Sequence, residues 1–300
     1  MENLIEKILC SRLEKLIPVT PTGNEILKNI YQVSTEGTTI PEVFAANARE
    51  LMMRNPDWGY ELYDENKIDA FFNAEFPQLK QYYRQINVSY PAAKADLFRY
   101  LLLYKNGGIY LDLKSTITKP LNTHLPLTEG PILSTWIEWN SVNYKNFNGW
   151  GKQAPLRNMP DGEYQQWHII TPPGHPYLRA VIITVLSRII CYISERHRVG
   201  RMRVLQTTGP IPYSEAIEPI RKRYLRRIMC VREKLGLEYA FSENIDHTKM
   251  LGKKHYSECT EPVINMKPFN RIINSGYCLI KRVKNTLTKF FKKPQRGYSF

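Results

Sequence analysis

One stretch limits what this chain can fold into more than any other. It is Ala95-Asp96-Leu97-Phe98-Arg99-Tyr100, followed by Asn106-Gly107-Gly108-Ile109-Tyr110-Leu111-Asp112-Leu113-Lys114. It reads as a helix, a glycine turn and a strand ending in a charged residue. Asp96 and Arg99 share one helix face, whereas Leu97, Tyr100, Leu101 and Tyr104 form an apolar stripe at helical spacing. Gly107-Gly108 closes the helix and permits the positive φ of a tight turn. Alternation along the strand sends Ile109, Leu111 and Leu113 to one side and Tyr110, Asp112 and Lys114 to the other. The expected product is a rigid scaffold presenting Asp96, Arg99, Tyr110, Asp112 and Lys114 to one pocket.

Around this block, residues 26–33 read as a first strand and Pro41-Glu42 opens a helix running to about Arg54. Asn55-Pro56-Asp57-Trp58 is a turn, and Tyr60 to Asp64 is the next strand. Strands alternating with helices as far as Lys119 predict a parallel α/β sheet, with ligands beyond the carboxyl ends of its strands. Gln32, Asp64 and Asp112 sit at such ends. Residues 128–167, rich in Trp, Asn, Gly and Pro, read as long loops shaping an acceptor site.

The string KADLFRYLLLYKNGGIYLDLKS, residues 94–115, resembles the core of the glycosyltransferases that carry a DXD sugar-binding motif. That group (family 32-like) includes yeast-type initiating mannosyltransferases and bacterial capsule and lipopolysaccharide sugar transferases. The clostridial glucosylating toxins are more distant members. Every position of the pattern is matched but the last, where Lys114 replaces the second Asp. Weaker pieces follow in family order. Tyr31 replaces a family His beside Gln32, Gln166 stands at a family Asn ahead of Pro173-Gly174-His175-Pro176, and Thr208-Gly209-Pro210 closes the set. The resemblance spans roughly residues 26–258.

It implies a GT-A-like α/β fold with a mainly parallel central sheet flanked by helices. It implies transfer of a hexose, with retention, from a nucleotide-diphosphate sugar to a glycan or lipid-linked acceptor, in polysaccharide, lipopolysaccharide or glycolipid synthesis. Asp96 and Arg99 would hold donor hydroxyls, against the plainer reading of a surface ion pair. Asp112 would hold Mn²⁺ or Mg²⁺ together with the diphosphate, aided by His255. Gln32, Asp64, Tyr110, Gln166, Thr208 and Lys254 would contact the nucleotide sugar. Lys114 either supplies the diphosphate-neutralising charge itself, lies outside the ion's immediate ligands, or is merely solvated. A glycan or sugar-nucleotide binder weakened in catalysis is the alternative, and a basic membrane or nucleic-acid adaptor a distant one. His175 reads as a turn residue.

The charge of +14 is lopsided, and no acidic residue follows Glu261. Residues 279–293 set an apolar stripe of Leu279, Ile280, Val283, Leu287, Phe290 and Phe291 among lysines and arginines. That predicts an amphipathic helix on an anionic membrane surface; nucleic acid is not expected, because no recognition motif accompanies the charge. The expected organisation is an amphipathic N-terminal helix over 1–25, the transferase domain over 26–260 and the basic tail over 261–300. Five scattered cysteines read as reduced and mostly buried. With neither signal peptide nor membrane-spanning run in view, a cytoplasmic, peripherally membrane-bound protein is expected.

Overall fold

The computed structural model describes residues 9, 11–35, 39–136, 156, 159, 162–194, 199–240 and 258–291. Its first half is built of strands and helices in turn: β1 (Asn29–Val33), α1 (Glu42–Arg54), β2 (Gly59–Tyr63), then α2 (Glu65–Glu75), α3 (Lys80–Gln85) and α4 (Pro91–Asn106), and β3 (Gly108–Leu111). β1 pairs in parallel with both β2 and β3. A short β4 (Thr116–Ile117), α5 (Leu121–His124), β5 (Ile132–Leu133) and β6 (His168–Thr171) follow. Helices α6 (Pro176–Ile190), α7 (Arg201–Thr207) and α8 (Pro210–Ile217) lead to β7 (Arg227–Ile228), α9 (Val231–Leu235), β8 (Leu237–Glu238) and a long α10 (Pro268–Phe291).

The main sheet has the order β2-β1-β3-β6-β5-β7, and β4 pairs with β8 in a small second sheet. The expected α/β class holds, with three of the main sheet's five strand pairings parallel. β6 is the departure: it runs antiparallel to both β3 and β5. The alternation read from the sequence also holds through β3. Tyr31, Tyr110 and Ile169 join the core packed on α4 and α6, whereas Ile30, Ile109, Leu111 and Ile170 join the opposite core with Leu51 and Trp58.

The paired glycines have a steric reason. Gly107 and Gly108 lie at φ 66° and 93°, and a Cβ on Gly108 would stand 2.7 Å from the Asn29 carbonyl. Only a residue without a side chain lets β3 begin this close to β1. Helix α4 is buried all round from Asp96 to Tyr104, so its polar residues lie inside the protein and not on a solvated face.

Three expectations are corrected. β3 ends at Leu111; Asp112 to Ser115 form a turn closed by a 2.8 Å bond from the Ser115 amide to the Asp112 carbonyl. Strand alternation therefore does not govern Leu113 and Lys114. Of the described cysteines none is buried: Cys191 is exposed and Cys230, Cys259 and Cys278 are half-exposed. The tail helix starts at Pro268, well before Leu279, because Asn270 anchors it by donating to the Ile190 and Tyr192 carbonyls at 2.6 and 3.2 Å. No helix among the described residues is long and apolar enough to cross a membrane.

Candidate active site

The site grows from the contact between α4 and the end of β3. Arg99, only 4% exposed, bonds Asp96 one turn back and Asp112 just past the strand, the latter at 2.8 Å on Oδ1. It also donates to the Gln166 carbonyl at 3.0 Å. Asp96 accepts from the Thr208 hydroxyl at 2.8 Å and from the Gln166 amide at 3.3 Å. The Tyr110 hydroxyl donates to Asp112 Oδ1 at 2.9 Å, and the Arg99 guanidinium carbon lies 4.9 Å from the Tyr110 ring centre. Burial works to lower the Arg99 pKa, but Tyr110, Asp112 and Tyr100 outweigh it and hold the guanidinium charged. The surface-pair reading of Asp96 and Arg99 falls, because both are buried.

Asp96, Arg99, Tyr110, Asp112, Gln166 and Thr208 thus meet in one network, drawn from α4, β3 and two later loops. Gln32 supports it from behind: fully buried, it donates to the Asp112 carbonyl at 3.1 Å and accepts from the Tyr60 hydroxyl at 2.8 Å. Both ends of its amide are engaged within the protein, which places it as a brace of the motif turn and not as a nucleotide contact. Asp64 is elsewhere. Its carboxylate accepts from the Lys67 amide at 2.9 Å and caps α2, at the sheet edge formed by β2. His175 caps α6 in the same manner, accepting from the Tyr177 amide. Lys254 and His255 lie outside the described residues.

The network opens into a cavity of about 140 Å³, lined by Asp96, Arg99, Asp112 and Gln166. Lys114 is not among the lining residues. Its ammonium donates to the Tyr239 hydroxyl at 2.6 Å and lies 3.8 Å from that ring's centre, while the Ser115 hydroxyl donates to the Tyr239 carbonyl. Tyr239 is a cavity wall, so Lys114 packs behind the site and touches its wall.

Sequence reading missed five polar or aromatic residues of the lining: Trp136, Glu163, Trp167, Arg201 and Tyr239. Tyr239 meets Trp136 and Trp167 edge-on, at 5.7 and 5.6 Å between ring centres. Glu163 is 6% exposed, and burial pushes its carboxyl up to about 7 against a hydrogen bond from Trp136 that lowers it. The signal lay in the Trp-rich loop region, but no spacing rule connects Trp136 to Glu163.

A divalent ion was expected at Asp112. Among the described residues no cluster of three His, Cys, Asp or Glu side chains is placed to hold one. Asp96 is wholly engaged, and Asp112 Oδ1 is bound by Arg99 and Tyr110, which leaves Oδ2. One carboxylate oxygen fits an ion that arrives on a diphosphate and keeps its waters; it does not fit an ion held by protein groups alone.

Comparison with known proteins agrees with the motif. Residues 41–130 match the family described as the glycosyltransferase sugar-binding region containing a DXD motif. The chain is 23% identical over 217 residues to an initiation-specific alpha-1,6-mannosyltransferase of Candida albicans, covering 63% of this chain and 52% of that protein. It is 31% identical over 174 residues to inositol phosphoceramide mannosyltransferase 1 of Schizosaccharomyces pombe, covering 56% of this chain and 50% of that protein. The chain therefore spans about half the length of these relatives. Among solved structures, the UDP-bound glycosyltransferase domain of the YGT toxin aligns at a TM-score of 0.49 with 9% identity, over 75% of this chain and 82% of that one. The PaToxG glycosyltransferase aligns at 0.46 with 18% identity, over 71% and 76%.

Proposed function

We propose that this chain transfers a hexose from a nucleotide-diphosphate sugar to a glycan or lipid-linked acceptor. The observation that carries the reading is the buried Asp96–Arg99–Asp112 network, which lies within the matched sugar-binding region and opens into a cavity. Sugar hydroxyls need acceptors and donors fixed in advance, and carboxylates locked by a guanidinium and two hydroxyls are fixed in advance. The relatives named as mannosyltransferases favour mannose as the hexose.

Asp112 stands at the mouth of the network, with its side chain 28% exposed. There Oδ2 would hold a divalent ion travelling with the diphosphate, whose chemistry is to neutralise charge on the leaving group. Arg201, exposed at the cavity edge, adds positive charge for the same diphosphate. Lys114 holds Tyr239 in place and contributes its charge at longer range. No side chain is assigned as a nucleophile. Retention is read as attack by the acceptor on the face that the diphosphate leaves.

A lipid-linked acceptor accords with α10. It carries five basic and no acidic residues between Pro268 and Phe291, and Phe269, Ile272, Leu279 and Val283 are exposed at helical spacing. Such a helix lies on an anionic bilayer.

Hydrolysis of UDP- and GDP-hexoses without added acceptor tests the function. The wild-type protein is expected to release nucleotide diphosphate from one of them, and Asp112→Asn to lose about 100-fold or more of that rate. The second reading, a binder weakened at Lys114, predicts saturable nucleotide-sugar binding with no turnover. Absence of both binding and turnover would contradict either reading.

A further inference from the structure

Two buried atoms of opposite polarity remain without a hydrogen-bond partner among the described residues at this site: Arg99 Nε, a donor, and Glu163 Oε2, an acceptor. Their residues line the same cavity and are 96% and 94% buried. Leaving such groups unmatched is unfavourable, and here the two sit at one cavity where a ligand could answer both. We propose that Glu163 is a specificity residue that, beside Arg99, accepts from a hydroxyl of the donor hexose.

The chemistry of the cavity selects that ligand class. An apolar ligand satisfies neither atom. An ionised phosphate only accepts, so it would answer Arg99 Nε and leave Glu163 Oε2 unmatched. A neutral polyol answers both, because each hydroxyl donates and accepts. Trp136, Trp167 and Tyr239 supply aromatic wall to the same cavity, which suits the C–H faces of a pyranose. Trp136 also hydrogen-bonds the Glu163 carboxyl, so the acceptor is oriented before the ligand arrives. The nucleotide and diphosphate then lie toward the exposed side, at Asp112 and Arg201. This inference rests on the transferase reading and adds a specificity residue to it.

The test pairs Glu163→Ala and Glu163→Gln with UDP-glucose, GDP-mannose and their monodeoxy forms, following hydrolysis, and measures UDP and GDP binding separately. Glu163→Ala is expected to raise KM for the preferred donor about tenfold or more while leaving binding of the free nucleotide within about twofold. Glu163→Gln, which keeps a polar group in place, recovers part of the loss. One monodeoxy donor is expected to be much poorer than its parent with the wild-type protein and nearly equal to it with Glu163→Ala. If Glu163→Ala does not fold, the same narrowing of discrimination is read from Glu163→Gln. Unchanged KM and unchanged discrimination in a folded variant overturn the role of Glu163, with donor turnover by the wild-type protein leaving the transferase reading intact. No turnover or binding by the wild-type protein overturns that reading itself.

Discussion

At the scale of single residues, the site is set by which charges are buried and which partners they keep. Glu163 is the sharpest case for stability. Burial pushes its carboxyl from 4.5 up to about 7 in the folded chain, so the neutral form is favoured on folding. The stabilisation is fully present below about pH 4.5 and is lost as pH rises through about 7, on the order of 3 kcal/mol in all. His168 works in the other direction. Buried and bonded to the Ser134 hydroxyl at 2.9 Å, it is pushed down to about 3, so it favours the fold above about pH 6.5 and ceases to do so as pH falls toward 3. The two slopes oppose each other between pH 4.5 and 6.5, so the readable quantity is the difference between wild type and Glu163→Gln. Urea titrations from pH 5 to 8 are expected to show that difference shifting in favour of the variant as pH rises; a constant difference would contradict the burial argument. Lys114 gives a second residue-scale prediction. Lys114→Asp restores the paired carboxylates of the motif, and it is expected to tighten Mn²⁺ binding in the presence of UDP or GDP about tenfold or more, read by thermal shift with and without EDTA. No change would place residue 114 beyond reach of the ion.

At the scale of elements, the decisive piece is α4, the glycine pair and β3. Gly108→Ala is expected to destabilise the fold by about 1–3 kcal/mol, because φ is positive and the new Cβ would press on the Asn29 carbonyl. Denaturant unfolding at constant m-value checks this; a loss under about 0.5 kcal/mol would show that β3 and β1 separate easily. This piece was legible in the sequence since helix period, glycine turn and strand alternation agree over consecutive residues. What was not legible is where alternation stops. Asp112 to Ser115 curl into a turn because Asn47 donates to the Ser115 carbonyl at 2.9 Å and Gln32 donates to the Asp112 carbonyl, both from distant segments. Lys114 consequently meets Tyr239, a partner 125 residues away. At the other end of the chain, α10 is held by Asn270 and leaves Phe269, Ile272, Leu279 and Val283 exposed. Liposome co-sedimentation is expected to show binding to phosphatidylserine vesicles that weakens at high salt and with Phe269→Ser and Ile272→Ser combined. Equal binding to neutral vesicles, or none, would count against the membrane role.

At the scale of the whole molecule, the sheet order places β3 between β1 and β6, and that position gathers the site. β1 contributes the Gln32 brace and β6 is preceded by Gln166 and Trp167, so three chain segments converge at one end of β3. Sequence pattern anticipated the parallel half, where β1 and β2 are each followed by a helix and α4 leads into β3. It did not anticipate the antiparallel entry of β6 or the aromatic wall, since both depend on pairings between segments far apart in the chain. This convergence is the proposed binding site for the nucleotide sugar. Calorimetric titration of the wild-type protein and Asp112→Asn with GDP-mannose and UDP-glucose, with Mn²⁺ present, tests it most directly. Saturable binding of one donor by the wild-type protein, weakened about tenfold or more in a folded Asp112→Asn variant, is the predicted result; equal binding by both proteins, or binding of neither donor, would contradict it.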